Sequence, residues 1–173
     1  MSAQNRTALK RHSPADMQKL WAPWRSKFIY HKKNKGCIFC SKPKARKDAK
    51  NLILERGKNV YSILDLYPYN NGHVMVAPYR HLKNMEALSG EEIMELFEML
   101  KRTLKALDKA LKPHGYNLGF NIGRTAGAGY DKHVHLHIVP RWLGDTNFMP
   151  VIAGSKVISE SLEALRKRLL ACG

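Results

Sequence analysis

Asp131-Lys132-His133-Val134-His135-Leu136-His137-Ile138-Val139-Pro140 sets three of the chain's eight histidines at alternate positions within five residues. Side chains of a strand alternate between its two faces, so this spacing puts all three imidazoles on one face. Val134, Leu136 and Ile138 fall on the other face and suit a core. A helix would scatter the three rings around its axis, so the stretch reads as a strand. Three uses of such a face are open from the residues alone. It is the polar outer side of a half-buried strand, a metal site, or a catalytic centre in which one imidazole reacts and its neighbours set its tautomer.

The rest of the 173-residue chain is long enough for one domain with a proper core. Its charge is unevenly spread. Residues 1–50 hold 14 Lys or Arg against 2 Asp or Glu, and residues 51–173 hold 16 against 12, so +12 of the net +16 lies in the first part. Residues 1–19 read as a basic flexible tail and 20–173 as the folded domain. Such a tail offers weak, salt-sensitive contact with nucleic acid. No apolar run spans a membrane and no secretory leader is evident. The three cysteines, Cys37, Cys40 and Cys172, make no disulfide framework, so a reducing, cytoplasmic setting is expected.

Further along, Leu20-Trp-Ala-Pro-Trp-Arg25 is an apolar knot that must bury something, and Phe28-Ile29-Tyr30 continues it before the basic run His31–Lys35. Cys37-Ile-Phe-Cys40 supplies two thiols from one turn, which is half of a tetrahedral zinc site, a redox pair, or two buried thiols. Residues 41–50 read as a basic linker. Residues 59–66 and 73–78 read as a hairpin joined through Asn71-Gly72, with Asp65 and His73 near its turn. Ser89-Gly-Glu-Glu92 is a capping box that opens a helix over 90–111, stopped by Pro113 and Gly115. Residues 116–122 form another strand. Gly123-Arg-Thr-Ala-Gly-Ala-Gly129 is a small-residue loop suited to wrapping an anion. Phe148–Ile152 reads as extended, and Ser159 is expected to cap a final helix carrying Leu162, Leu165 and Leu169.

His133-Val-His-Leu-His-Ile-Val139 matches the signature of the histidine triad (HIT) superfamily. With Leu20–Arg25, Cys37–Cys40, Gly72–Pro78 and Pro140–Pro150, the chain resembles its diadenosine tetraphosphate phosphorylase-like branch over residues 20–170. The resemblance implies an α+β fold: a five-stranded antiparallel sheet, one long and one short helix, and a homodimer that extends the sheet. It implies cleavage of dinucleoside polyphosphates or related adenine nucleotides through a covalent nucleotidyl-histidine, resolved by water or orthophosphate. His135 is the implied nucleophile, and His137 and His73 complete the catalytic set. Asp65 matches a ribose-binding acid, Asn121 a phosphate-contacting asparagine, and Gly127 and Gly129 belong to the substrate loop. Cys37, Cys40, His81 and His133 match the ligands of a structural zinc found in some members. One departure stands out. Relatives carry Ser or Gln before the triad, whereas Gly127-Ala128-Gly129 has neither, which leaves Thr125 or backbone N–H groups in that place. The alternative reading is a non-catalytic, zinc-stabilised, basic nucleotide- or RNA-binding protein. A redox role for Cys37 and Cys40 lacks a thioredoxin-like context.

Overall fold

Val60-Tyr-Ser-Ile-Leu64 and Val74-Met-Val-Ala-Pro78 are buried at every position, so both of their faces are covered. Such strands read as near-continuous apolar runs and belong in the middle of a sheet. They are β2 and β3 of five antiparallel strands in the order β1-β2-β3-β5-β4, with β1 at Ile53–Arg56, β4 at Gly115–Phe120 and β5 at Leu136–Arg141. The computed structural model describes residues 36–127, 130–146 and 157–173. The tail 1–19, Leu20–Arg25, Phe28–Tyr30, His31–Lys35, Gly129 and Phe148–Ile152 lie outside the described residues.

The long helix α3, Gly90–Leu111, is opened by the expected box: the Glu92 N–H donates to Ser89 Oγ at 3.2 Å, and the Ser89 N–H donates to Glu92 Oε2 at 2.8 Å. Lys112 ends it in the left-handed region at φ 48°, just before Pro113. Its inner stripe, Leu96, Met99, Leu100 and Leu107, joins the core over β2 and β3. Glu95, one position from that stripe, accepts the Asn59 N–H at 2.8 Å and ties the β1–β2 turn to the helix.

At the β2–β3 hairpin the Asn71-Gly72 turn forms where the sequence places it. Gly72 has φ 79°, and a Cβ there would lie 2.6 Å from Leu111 Cδ1 and 3.0 Å from Pro140 Cγ. Both the backbone and the packing therefore require glycine.

Four local expectations are corrected. Residues 41–50 are not a linker: helix α1 covers Ile38–Lys44 and a short α2 covers Asp48–Asn51. Among the described residues there are thus two short helices more than the long and short pair expected, together with β1, which the sequence did not announce. The final helix α4, Leu162–Leu170, is capped by Ser161, whose Oγ accepts the Ala164 N–H at 3.1 Å, rather than by Ser159. The ladder of β5 begins at Leu136, so of the three histidines only His137 lies within it. Val134 instead donates to the Leu82 carbonyl at 2.7 Å. Residues 133–140 are buried throughout, so burial does not alternate along this stretch.

Candidate active site and metal centre

The three histidines do not form an open polar face. His133, His135 and His137 are 1%, 6% and 7% exposed, and His73 is fully buried. Burial penalises a charged imidazole, so all four are held below the ordinary histidine range. His133 is pushed down to about 4 by burial, with the Pro78 carbonyl opposing. His137 is pushed down to about 3 by burial and then by His135 and His73. His135 and His73 are lowered by the same cause, with Asp65 opposing in each case.

Each neutral ring has one N–H and one lone pair, and its partners fix which nitrogen holds which. His135 Nδ1 faces the His133 carbonyl at 2.7 Å. A carbonyl only accepts, so Nδ1 carries the hydrogen and Nε2 the lone pair. The Tyr69 N–H donates to His73 Nδ1 at 3.1 Å. His73 Nε2 then donates to His137 Nδ1 at 2.9 Å. That leaves His137 with its hydrogen on Nε2, a buried atom without a hydrogen-bond partner among the described residues. Asp65 Oδ2 also lies 3.3 Å from His73 Nδ1. A protonated Nδ1 could not accept from Tyr69, and the directed backbone bond decides the tautomer. Asp65 Oδ1 accepts the Tyr67 N–H at 2.9 Å, which stiffens the turn.

On the other side of His135, Cys37, Cys40, His81 and His133 bring their ligand atoms within 4.8 Å of one another. Cys37 Sγ lies 3.3 Å from His133 Nδ1, Cys40 Sγ lies 3.4 Å from His81 Nδ1 and 3.7 Å from His133 Nδ1, and the two Nδ1 atoms are 3.4 Å apart. Zinc bonds of about 2.3 Å to sulfur and 2.0–2.1 Å to nitrogen imply tetrahedron edges of about 3.5 Å (S to N) and 3.3 Å (N to N). The edges observed are those of such a tetrahedron. His133 Nε2 donates to the Pro78 carbonyl at 3.0 Å, so Nδ1 offers a lone pair inward. The donor set therefore fits a zinc ion.

The sequence-derived positions fall into two groups around His135: the four metal-type ligands, and Asp65, His73 and His137, whose ligand atoms also lie within 4.8 Å. Asn121 follows the end of β4, and Gly127 lies in the loop after it at φ 84°. Three neighbours escaped the sequence reading. The Phe39 ring stacks on His135 at 4.5 Å and lies 5.2 Å from His133. Its place between the two cysteines was the available signal. Tyr69 lies against His73 and His137, but it falls between the two hairpin strands, where the sequence reading named only the Asn71-Gly72 turn. Lys42, within the supposed linker, is held below the ordinary lysine range by burial, with Asp65 opposing.

A family model described as the HIT domain matches residues 46–142. The AP-4-A phosphorylase of Mycobacterium tuberculosis (strain ATCC 25618 / H37Rv) is 40% identical over 163 residues, covering 90% of this chain and 83% of its own. Among solved structures, a hypothetical histidine triad nucleotide-binding protein from Sulfolobus tokodaii superposes with a TM-score of 0.64 at 29% identity, covering 79% of this chain and 91% of that one. A Zn-bound histidine triad family protein from Mycobacterium smegmatis gives 0.63 at 26% identity, with 79% and 92% covered.

Proposed function

The chain belongs to the HIT family, and on that premise we propose that it is an enzyme cleaving dinucleoside polyphosphates such as diadenosine tetraphosphate, or related adenine nucleotides. The observation that carries this reading is the His135 ring: buried, neutral, and held by its Nδ1–H on the His133 carbonyl, so that Nε2 is a ready nucleophile. Nε2 attacks the α-phosphorus and forms an N–P bond as the P–O bond to the leaving nucleoside phosphate breaks. That group departs as an anion and needs no proton. His137 Nε2–H donates a hydrogen bond to the phosphate, backed by His73. Water or orthophosphate then attacks the same phosphorus, and the N–P bond breaks. Asp65 receives ribose hydroxyls, Asn121 and Gly127 contact phosphate oxygens, and Gly129 is assigned to the same substrate loop.

Cys37, Cys40, His81 and His133 hold a structural zinc in this reading. When bound it cross-links α1 to the lead-in of β5, and it takes no part in the reaction. Thiolate ligands of this kind suit a reducing, cytoplasmic setting. Residues 20–173 form the catalytic domain. A homodimer through β4, an edge strand among the described residues, is in keeping with an exposed apolar residue there, Leu118 at 47%. Leu118→Asp should then shift the sedimenting species from dimer to monomer.

Incubation with diadenosine tetraphosphate, with and without orthophosphate, tests the activity and names the acceptor. ADP plus ATP only with phosphate means a phosphorylase. AMP plus ATP without phosphate means a hydrolase acting by this route, and two ADP means a hydrolase that attacks a β-phosphorus instead. His135→Gly should form no covalent adduct and no product, and full turnover by that variant defeats the mechanism. The second reading, a non-catalytic nucleotide or RNA binder, is favoured by the +12 carried in residues 1–50. It requires RNA affinity that falls steeply with salt and that is lost on deleting residues 1–19.

A further inference from the structure

Tyr69 reaches three parts of the site at once. Its backbone N–H sets the His73 tautomer at 3.1 Å. Its ring lies 4.7 Å from that of His73 and 5.5 Å from that of His137, near parallel to the latter at 21°. Its hydroxyl oxygen accepts the Asn121 amide Nδ2–H at 3.1 Å. The hydroxyl's own hydrogen is left with the Gly127 carbonyl, 3.5 Å away, which is the outer limit of a hydrogen bond. Tyr69 as a residue is 49% exposed.

The sheet register says where the hydroxyl sits. Gly119 pairs with His137 and Phe120 with Leu136, so the next positions out are Asn121 and His135. Asn121 and His135 line one pocket, and the hydroxyl is bonded to the Asn121 amide. The sequence Gly127-Ala128-Gly129 supplies no side chain that can donate.

We propose that the Tyr69 hydroxyl donates a hydrogen bond to a non-bridging oxygen of the phosphoryl group attacked by His135, next to the Asn121 amide. This rests on the nucleotidyl-transfer reading above. The phenol exchanges a long contact with a neutral carbonyl for a short one with a charged oxygen, and charge-assisted bonds are the stronger kind. Negative charge on that oxygen is greatest as the phosphoryl group is transferred, so the bond favours the transition state. The Asn121 amide already donates to the phenol oxygen, so the O–H is the part of the hydroxyl left to bond elsewhere.

Tyr69→Phe removes the hydroxyl and keeps both the backbone N–H and the ring. With diadenosine tetraphosphate and orthophosphate, kcat should fall about 10- to 100-fold, with the melting temperature unchanged and KM altered little. Quenched mass spectrometry should show the nucleotidyl-His135 adduct forming more slowly by the same factor. Asn121→Ala and the double variant complete a cycle. If the hydroxyl touches phosphate, Tyr69→Phe still lowers kcat when Asn121 is already alanine. If it does nothing there, the hydroxyl only holds Asn121 and the proposal is overturned. It is equally overturned if Tyr69→Phe alone stays within about twofold of the parent. A parent protein that neither turns over the nucleotide nor forms the adduct overturns the nucleotidyl-transfer reading, and this proposal with it.

Discussion

His135 Nδ1 donates to the backbone carbonyl of His133 at 2.7 Å, while His133 turns its own Nδ1 to within 3.3 Å of Cys37 Sγ. One residue thus ends the thiol–imidazole cluster and orients the neighbouring ring. Phe39, between the two cysteines, stacks on the same ring at 4.5 Å. Whatever fixes Cys37, Cys40 and His133 also fixes His135.

Metal removal should therefore cost both stability and rate. A ligand bound at about 1,000 times its dissociation constant adds about 4 kcal/mol to stability. In a chain of this size that is about 10 °C of melting temperature. Zinc assay followed by a melt with and without chelator measures it. Cys40→Ser should mimic the chelator and lower kcat as well. A metal-free protein whose melt ignores chelator would remove zinc from the account.

His137→Asn should reduce kcat by about 100- to 1,000-fold, the usual effect of losing a donor to developing charge. It removes the Nε2–H, which is buried without a hydrogen-bond partner among the described residues and which the proposed reaction uses as a donor to phosphate. Asn Oδ1 keeps an acceptor near the place of Nδ1 for the His73 Nε2–H, so the lost donor is the main change. Single-turnover rates of adduct formation read the effect, and an unchanged rate would show that the unpaired N–H is not aimed at phosphate.

Glu92 gives a pH-dependent contribution to stability. Hydrogen bonds from Arg80 first, then contacts with Ser89, hold its carboxyl down at about 2 against an ordinary 4.5. A depressed carboxylate stabilises the fold above its unfolded pKa and loses that contribution as pH falls through the folded one. Glu92→Gln should be less stable than the parent at pH 7 by about 1 kcal/mol, the worth of a helix cap. The gap should shrink below pH 4.5 and close near 2. Denaturant titrations at several pH values measure it, and a gap constant from pH 7 to 3 would assign the loss to packing.

Gly72→Ala should destabilise by about 2–4 kcal/mol, combining a left-handed penalty with overpacking. The φ of 79° and the 2.6 Å approach to Leu111 Cδ1 act together. The melting temperature should drop by about 5–15 °C. A drop below about 2 °C would mean that the helix end yields freely.

Much of the scaffold was legible because its signals are local. The 90–111 helix follows from a capping box, an apolar spacing and a proline. The hairpin follows from Asn71-Gly72 between two apolar runs. Alternate histidines with apolar neighbours follow from the period of an extended chain. Local pattern failed where structure overrides propensity. Helix α1 contains Pro43 and looked like linker, yet Cys37 accepts the first helical bonds and Phe39 anchors the turn in the core at 2% exposure. Ser161 rather than Ser159 caps α4, a shift of two residues that turns on where Leu165 and Leu169 meet the core.

The sequence by itself determined the strand period of the histidines, the residue types of a thiol–imidazole cluster, and the family. Only the tertiary structure decided what each imidazole does. Tautomers depend on partners 4, 64 or 55 positions away: the Tyr69 N–H for His73, His73 for His137, the Pro78 carbonyl for His133. Such partners are set by packing of the whole sheet and leave no periodic trace. The neutrality of the rings has the same origin, because burial is a property of the assembled core and not of any stretch of chain.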